Sequence, residues 1–258
     1  MSKSERIETI INIIQKRGYI SPVKLSQEMG VSIPTIRRDL KLLRDKNIIK
    51  NDYNNIRVNT NVDKIFHERH NINKLKKEVI AKLARDFIKS EDTIFLDTST
   101  TCYELARQLV YSQKTLFIVT NNLYTAIELL NNERIDVVLI GGNTKKGYFC
   151  TVGPFAEKMI ANIKVDKFFF SCTAFDEKGT YEPDKLGGNV KLKFLENSRI
   201  HYLLADSSKF NKASISKTAD IDDIDVLITE KVLPDNLLTV LKKYNIQCVF
   251  PSNKNKGK

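Results

Sequence analysis

The sequence has few metal-binding or disulfide-forming residues, and their spacing argues against several classes of protein. The four cysteines are far apart and include no Cys-x-x-Cys pair: Cys102, Cys150, Cys172 and Cys248. That spacing indicates neither a disulfide framework nor a zinc site, so we expect the cysteines to be reduced and buried. His67 and His70 would share one face of a helix, but no further ligand lies nearby in the sequence. We therefore expect no metal ion and no cofactor.

Long apolar segments are also missing. No run of apolar residues approaches the roughly 18 residues of a membrane-spanning helix. The N-terminal segment SKSERIETIINIIQKRG mixes charged residues with isoleucines, which is unlike a signal peptide. Internal repeats and low-complexity tracts are absent as well. These absences predict a cytoplasmic globular protein.

Positive charge is abundant and unevenly distributed. The 258-residue chain has a formal net charge of +11. Residues 1–60 hold twelve Lys or Arg against six Asp or Glu, whereas the rest of the chain holds thirty against twenty-five. More than half of the excess therefore lies in less than a quarter of the chain. This distribution predicts that the N-terminal part binds an anionic partner.

The first helices are predicted from isoleucine spacing and from capping residues. Isoleucines from Ile7 to Ile14 recur at helical spacing, and Gly18 would end that helix. Ser21 followed by Pro22 is typical of the start of a second helix, which Gly30 would end in a left-handed turn. In this second helix we expect three partly buried side chains: Val23, Leu25 and Met29.

The stretch VSIPTIRRDL predicts a third helix that presents two adjacent arginines. Ser32 would be its N-cap, and it would run to about Lys46 with four apolar residues facing inward: Ile33, Ile36, Leu40 and Leu43. A tight turn between the second and third helices is typical of a helix-turn-helix, whose last helix enters the major groove of DNA. One of Arg37 and Arg38 would contact a base and the other a phosphate, but the sequence does not show which. Asp39 or Asp45 would pair with a basic residue four positions away on the helix or elsewhere within the domain.

A β-hairpin is predicted to follow the third helix, as a wing. Two short β-prone runs, Asn47–Lys50 and Ile56–Asn59, are separated by Asn-Asp-Tyr-Asn-Asn. The candidate DNA-binding residues are found on the third helix and this wing: Ser32, Thr35, Arg37, Arg38, Lys41, Arg44, Lys50 and Arg57. We predict a DNA-binding domain at 1–59, a polar linker at 60–73 that becomes helical near its end, a larger domain at 74–250 and a basic tail at 251–258.

The larger domain alternates short apolar runs with amphipathic helices. This pattern is typical of an α/β fold with a mostly parallel sheet covered on both faces. The first helix after the linker carries Leu75, Val79, Leu83 and Phe87 on one stripe, which we expect to face the core. Small, hydroxyl, amide or glycine residues follow five strands, where such a sheet binds its ligand. They are suited to a polyhydroxy anion, and Thr98-Ser99-Thr100-Thr101 precedes a helix as a phosphate cradle would.

Motifs in both parts of the chain resemble those of one known protein family. Residues 1–50, with VSIPTIRRDLKLL as the most specific feature, resemble the N-terminal domain of the DeoR family of bacterial sugar-operon regulators. The segments ERHN, IFLDTSTT, VTNN, IGG, TVGP, FDEKGT and LADSSKF resemble, in order, that family's C-terminal sensor domain, which is similar to ribose-5-phosphate isomerase in fold. The chain departs from the family at Asn-Asp-Tyr-Asn-Asn in the wing, at Ser99, where glycine is usual, and at EPDKLGGN.

The resemblance implies a winged helix-turn-helix domain joined to a sugar-phosphate sensor. It implies a repressor of a sugar-utilisation operon that binds operator DNA, with that binding modulated by a phosphorylated sugar. The candidate effector-binding residues lie mainly at the strand ends: Asp97, Thr98, Ser99, Thr100, Thr101, Thr120, Asn121, Asn122, Gly141, Gly142, Asp176, Lys191 and Lys209. Of these, Lys209 would supply the cation for the phosphate, unless it pairs with Asp206 or Asp97 instead.

A second hypothesis is that the larger domain retains sugar-phosphate isomerase or deaminase activity. Such an enzyme needs a base and a group that stabilises the enediolate, which four residues could provide: Asp97, Asp176, Glu177 and Lys191. The carboxylate cluster and the Lys-Gly-Gly-Gly segment of the isomerases are missing, so we expect a regulator and no enzyme. Recognition of two operator half-sites predicts a homo-oligomer, either a dimer or a tetramer.

Overall fold

The chain forms two compact units, residues Met1–Lys64 and Ile65–Lys258. The structure is a computed structural model that describes residues 3–17, 20–45, 49–52, 55–58 and 66–251. Gly18, Lys46, Asn59, the first part of the predicted linker and most of the basic tail lie outside the described residues. Within the described ranges, no helix is long and apolar enough to span a membrane.

The first unit has the predicted helix-turn-helix order. Helix α1 spans Lys3–Arg17, α2 spans Pro22–Met29 and α3 spans Ile33–Asp45, and the strands β1 (Ile49–Asp52) and β2 (Asn55–Val58) pair antiparallel as the wing. The Ser21 side chain accepts a hydrogen bond from the Lys24 N–H, and Gly30 ends α2 at a φ of 61°. A core of isoleucines and leucines joins the three helices: Ile10, Ile14, Leu25, Ile36, Leu40 and Leu43.

One expected core residue of the first unit lies outside the core. Leu25 is fully buried and Met29 is half-buried, but Val23 is 49% exposed. Two residues that are two positions apart on a helix point about 200° away from each other. Since Leu25 faces the core, Val23 faces solvent and is less buried than predicted.

The second unit is built on a seven-stranded parallel sheet. Its strands have the spatial order β14-β13-β11-β8-β3-β4-β5. The strands of this sheet are β3 (Thr93–Leu96), β4 (Leu116–Thr120), β5 (Ile135–Leu139), β8 (Val165–Phe170), β11 (Ser198–Leu204), β13 (Val226–Ile228) and β14 (Gln247–Val249). The helices are α4 (Phe66–Asn71), α5 (Lys74–Arg85), α6 (Thr100–Leu109), α7 (Leu123–Leu129), α8 (Pro154–Ile160), α9 (Lys185–Glu196) and α10 (Asp235–Lys243).

Helices cover both faces of this sheet, as predicted. Apolar residues of α5, α6 and α7 form one buried cluster with one face, and residues of α8, α9 and α10 form another with the opposite face. The central strand β8 contributes to both, because Phe168 and Phe170 belong to the second cluster and Phe169 to the first. Successive side chains of a strand point to opposite faces, so three consecutive phenylalanines fill two cores.

The buried face of α5 differs from the predicted stripe. Leu75 is 77% exposed and Val79 is 38% exposed, while Ile80, Ala81 and Ala84 are fully buried. The alanines allow α5 to pack closely on its neighbours, and that contact outweighs the preference for burying the larger leucine and valine. The predicted stripe was therefore wrong at Leu75 and Val79, whereas its other two members, Leu83 and Phe87, pack against the core cluster as expected.

Several small elements of the second unit were not predicted. They are the hairpin of β6 (Asn143–Lys145) and β7 (Cys150–Val152), and a three-stranded sheet of β9 (Ala174–Asp176), β10 (Gly179–Glu182) and β12 (Ser216–Asp220). Helix α9 begins at Lys185, where the Asp184 side chain caps it by accepting a hydrogen bond from the Gly187 N–H. Helix α4 belongs to the second unit, although its residues were assigned to the linker.

Candidate functional site

The outward face of α3 is basic and free of exposed acidic side chains among its described residues. Arg37, Arg38 and Lys41 are exposed, and Arg44 is half-buried. Asp39 is only 1% exposed and points to α1, where Arg6 Nε lies 2.6 Å from Asp39 Oδ2 and Arg6 Nη2 lies 3.3 Å from Asp39 Oδ1. This confirms that Asp39 pairs within the domain. The pair raises the pKa of Arg6, chiefly through the hydrogen bond to Asp39.

The amino end of α3 and the wing complete the predicted DNA-binding set. Ser32 Oγ and Thr35 Oγ1 lie 2.9 Å apart at the start of α3. In the wing, the register of β1 and β2 places Lys50 directly opposite Arg57. Every predicted DNA-binding residue therefore lies on α3, at its start, or on the wing.

In the second unit, the sheet order brings four strand ends together. The strands β11, β8, β3 and β4 are neighbours and parallel, so their carboxyl ends meet at one edge. We call this edge, with the loops that follow the four strands, the effector edge. It carries the predicted loops that begin at Asp97, Asn121 and Asp206, together with Ser171 after β8.

A buried ionic cluster lies at the centre of the effector edge. Lys191 Nζ is 3.3 Å from Asp97 Oδ2, and it also donates hydrogen bonds to Glu182 and to the carbonyl of Ser171. Burial opposes the charged form of Lys191, but the carboxylates of Glu182 and Asp97 more than compensate, so the pKa of Lys191 is raised. Two carboxylates against one ammonium leave acceptor oxygens that are suited to sugar hydroxyls.

Asp97 also organises the hydroxyl-rich loop before α6. Its Oδ1 accepts a hydrogen bond of 2.8 Å from the Ser99 N–H, and its Oδ2 accepts one of 3.1 Å from the Ser171 N–H. Ser99 has a φ of −72° and caps α6, since its Oγ accepts a hydrogen bond of 3.1 Å from the Cys102 N–H. An extended φ suits any residue, so serine fits where the resembled family usually has glycine. Thr100 and Thr101 occupy the buried first turn of α6.

The loop after β4 is buried and tied to the β6–β7 hairpin. Thr120 Oγ1 accepts a hydrogen bond from the Asn122 N–H, and Asn122 caps α7 at the Thr125 N–H. Asn122 Nδ2 donates to Thr98 Oγ1 at 3.0 Å and to the Tyr148 carbonyl at 3.4 Å. Asn121 Oδ1 is buried and has no hydrogen-bond partner among the described residues. These contacts connect the loop after β4 to the hydroxyl-rich loop.

Basic side chains lie at the β11 side of the effector edge. Lys209 forms no hydrogen bond or ion pair through its side chain with any described residue, so it is not paired with Asp206 or Asp97. Asp206 instead accepts hydrogen bonds from the Asn73 side chain at 3.1 Å and from the Ser208 N–H at 2.9 Å. Lys209 lies close enough to Lys77 to help lower the pKa of Lys77 to about 8, although burial is the larger cause.

Three predicted effector-binding residues lie away from these contacts. The Gly141 N–H contacts the sulfur of Met159, and a side chain at Gly142 would meet Ala156 and the Val152 carbonyl at 3.0 Å. Asp176 accepts hydrogen bonds from the Tyr181 hydroxyl at 3.0 and 3.2 Å. No hydrogen bond joins these three to the Asp97–Lys191 cluster in the part of the chain that the structure describes.

Other residues at or next to the effector edge have no signal in the sequence. Glu182, Lys77 and Tyr148 were not among the predicted site residues, yet each contacts a residue of the site or of the helix α4. Glu182 is the last residue of the unpredicted strand β10, and Lys77 is a buried lysine within a helix whose other lysines are half-buried or exposed. No local pattern distinguishes such residues. The predicted pair of His67 and His70 lies on α4, and no group of metal ligands is found among the described residues.

Comparison with known proteins gives consistent matches to both units. A family model described as the DeoR-like helix-turn-helix domain matches residues 6–62, and one described as the DeoR C terminal sensor domain matches residues 72–231. The L-fucose operon activator of Haemophilus influenzae is 31% identical over 248 residues, which cover 95% of this chain and 99% of that protein. The glycerol-3-phosphate regulon repressor of Escherichia coli K12 is 29% identical over 249 residues, which cover 96% of this chain and 98% of that protein.

A similar solved structure is the ribose 5 phosphate isomerase A from Neisseria gonorrhoeae. It is 16% identical in sequence, the match covers 52% of each chain, and the TM-score is 0.38.

Proposed function

The chain belongs to the DeoR family of DNA-binding transcriptional regulators, and from this premise we propose that it represses a sugar-utilisation operon in response to a phosphorylated sugar. Helix α3 binds the operator, and the effector edge binds the sugar phosphate. One relative is named for an L-fucose operon and another for glycerol 3-phosphate, which is itself a phosphorylated polyol.

The main support for DNA binding by α3 is the inward position of Asp39. Because Arg6 neutralises this carboxylate inside the domain, the exposed side chains Arg37, Arg38 and Lys41 have no acidic neighbour on the outer face of α3 among the side chains that the structure describes. A surface of exposed arginines and a lysine on the last helix of a helix-turn-helix is suited to phosphates and guanine edges.

Arg38→Ala is expected to weaken binding to the preferred operator by about 1–3 kcal/mol and to relax base choice at one position. Arg37→Ala is expected to weaken binding to all sequences about equally, since Arg37 is assigned to the DNA backbone. Fluorescence anisotropy with an operator library measures both effects. The reverse pattern would exchange the roles of the two arginines, and negligible effects of both would contradict the assignment of α3.

The effector edge offers complementary groups for a sugar phosphate. The carboxylates of Asp97 and Glu182 accept hydrogen bonds from hydroxyl groups, and the ammonium of Lys209, which pairs with no described residue, provides a cation for the phosphate. The strands β3 and β11 are separated only by β8, so their loops are about 10 Å apart, or two strand spacings. A phosphate between Lys209 and the first turn of α6 would meet a cation, hydroxyl groups and helix N–H groups together.

Lys209→Ala is expected to lower the affinity for the effector by about 1.5–3 kcal/mol, the usual scale for a hydrogen bond to a charged group. Calorimetric titration with a panel of sugar phosphates and their unphosphorylated sugars identifies the effector in the wild type and measures the loss in the variant. Lys212→Ala, in the same loop, is the matched control because the Lys212 side chain hydrogen-bonds, among the described residues, only to the carbonyl of Ser208. Equal binding of a sugar and its phosphate would contradict the phosphate site.

The enzyme hypothesis has less support from the geometry. Its candidate groups are already occupied, because Lys191 is held by Asp97 and Glu182, Asp176 by Tyr181, and Glu177 Oε1 by the Asn236 side chain at 2.7 Å. A general base must be free to take a proton from the substrate. Exchange of the proton next to the carbonyl of a bound sugar phosphate, followed by NMR, is expected to proceed no faster with the protein than without it.

A further inference from the structure

The short helix α4 is the first described element after the chain leaves the wing. Only residues 59–65 separate Val58, the last residue of β2, from Phe66, the first residue of α4. An isolated helix of six residues is not stable in water, so the conformation of α4 depends on what it packs against. Its contacts therefore determine where the connection to the DNA-binding unit begins.

The amino end of α4 is anchored at the effector edge. Phe66 is 1% exposed, and its N–H donates a hydrogen bond of 2.6 Å to the Gly147 carbonyl in the β6–β7 hairpin. The Phe66 ring contacts Tyr103 in the first turns of α6, with centroids 5.3 Å apart, and stacks on Tyr124 of α7 at 4.9 Å. Helices α6 and α7 begin where β3 and β4 end, so these partners belong to the same edge as the site.

The carboxyl end of α4 is anchored by charged groups. His70 Nε2 lies 2.5 Å from Glu104 Oε1 of α6, and the Arg69 guanidinium lies 4.1 Å from the centre of the Tyr148 ring. Lys77 donates hydrogen bonds to the carbonyls of Arg69 and His70, the second at 3.5 Å. A lysine is favourable at the negative end of a helix, so the Lys77 ammonium stabilises the docked position of α4.

Two of these anchors also connect to the predicted phosphate contacts. Lys209 acts electrostatically on Lys77, and repulsion between the two ammonium groups weakens the charged form of Lys77. Tyr148 is linked to Thr98 through the Asn122 side chain, which donates to both. A dianion next to Lys209 would remove the repulsion that Lys77 experiences, and it would compete for the hydroxyl group of Thr98.

We propose that α4 couples the effector edge to the DNA-binding unit, with Lys77 as the positioning residue that transmits the arrival of a phosphate. Binding of the anion strengthens the interaction of Lys77 with the carboxyl end of α4 and so favours the docked helix. The docked helix in turn restrains the start of the connection to the wing. This inference rests on the proposed phosphate site, and it adds the route by which occupancy of that site reaches the operator-binding unit.

Hydrogen exchange on the full-length wild-type protein tests the inference without a variant. Glycerol 3-phosphate and inorganic phosphate, each at millimolar concentration, are the probes, and peptides covering 66–72 and 99–104 are followed by mass spectrometry. Slower exchange in both peptides is expected. Protection of 99–104 without any change in 66–72 would overturn the coupling and leave the phosphate site standing. No change in 99–104 with either probe would contradict the phosphate site, and the coupling with it.

A variant that releases α4 gives the second test. In Phe66→Ala the helix loses its aromatic anchor, whereas Phe149→Ala removes a ring that contacts Tyr124 and keeps Phe66 on α4. The affinity for operator DNA is measured with and without the effector found in the sugar-phosphate screen. A change of fivefold or more is expected in the wild type and in Phe149→Ala. Less than a twofold change is expected in Phe66→Ala, with effector binding retained.

Outcomes that contradict the inference are distinct from failure of the variant to fold. If Phe66→Ala binds the effector and the operator and still shows the full wild-type change in DNA affinity, α4 does not carry the coupling. Phe66→Leu keeps an apolar side chain at the buried position. It replaces Phe66→Ala in the same measurement if the alanine variant does not fold. An intermediate loss of coupling is expected for it, and wild-type coupling in the leucine variant together with unaltered exchange in 66–72 would overturn the proposal.

Discussion

Lys77 is a charged side chain that is almost entirely buried, and its environment opposes its charge. Only 5% of the residue is exposed, and its carbonyl acceptors on α4 are neutral. Burial first, and then the nearby ammonium of Lys209, lower the pKa of Lys77 from 10.5 to about 8. The native protein therefore loses this proton at a lower pH than the unfolded chain does.

The depressed pKa of Lys77 predicts a pH dependence of stability. Between about pH 8 and 10.5 the unfolded chain keeps the Lys77 proton and the native protein does not, so unfolding takes up a proton. Raising the pH through this window therefore raises the free energy of unfolding, by up to about 3 kcal/mol. Urea denaturation at several pH values is expected to show this rise in the wild type and in Lys82→Met, an exposed position of the same helix, but not in Lys77→Met. Parallel curves for all three proteins would contradict the shift.

At the scale of single elements, the register of the wing pairs two basic residues. Lys50 and Arg57 are directly opposite each other in the antiparallel pair, and like charges in such positions destabilise a hairpin. Contact of both residues with the DNA backbone would offset that repulsion. The wing is therefore expected to touch DNA even though its turn differs from that of the resembled family.

Arg57→Ala is expected to flatten the slope of log K against log salt concentration by about 0.9, the contribution of one phosphate contact. Operator binding measured by anisotropy over a range of potassium chloride concentrations gives the slope. The hairpin itself is expected to remain folded, because the substitution removes a like-charge pair. An unchanged slope would mean that the wing of this protein does not contact the phosphates.

The elements that could be predicted from sequence are those with a strong local signal. Ser21-Pro22 starts α2 and Gly30 ends it, and each strand of the large sheet coincides with an apolar run. The predicted face of α5 was wrong at its first two residues, Leu75 and Val79, because close packing of Ala81 and Ala84 is a tertiary preference that apolar spacing does not contain. Helix α4 is the helical end predicted for the linker, but it was not assigned to the second unit because a single buried aromatic, Phe66, anchors an otherwise polar segment.

The predicted site divides in a similar way. Residues that follow parallel strands, such as Asp97 and Asn122, could be placed from topology alone, because the ends of such strands meet at one edge. Glu182 and Lys77 could not, because they reach the site from a short unpredicted strand and from the side of a helix. Gly141 and Gly142 also follow a strand, but β5 lies at the border of the sheet, and the two glycines pack against α8.

At the scale of the whole molecule, symmetric operator recognition requires more than one copy of α3. We expect a dimer or tetramer whose α3 helices bind half-sites centred about 10 base pairs apart or at multiples of one helical turn. Inserting about 5 base pairs between the half-sites moves one of them to the opposite face of the DNA. Operator affinity is then expected to fall at least tenfold in a gel-shift assay, while a 10-base-pair insertion costs less. Equal affinities would indicate independent binding of each copy.

The three consecutive phenylalanines of β8 have a consequence for how the second unit comes apart. Phe168 and Phe170 hold one layer of helices, and Phe169 holds the other, so the same six-residue strand supports both. Neither layer can loosen while β8 keeps its place, and when β8 leaves the sheet both lose their central contacts at once. The two layers are therefore expected to unfold as one cooperative unit. A partially unfolded form that keeps only one layer would lack the central strand against which that layer packs.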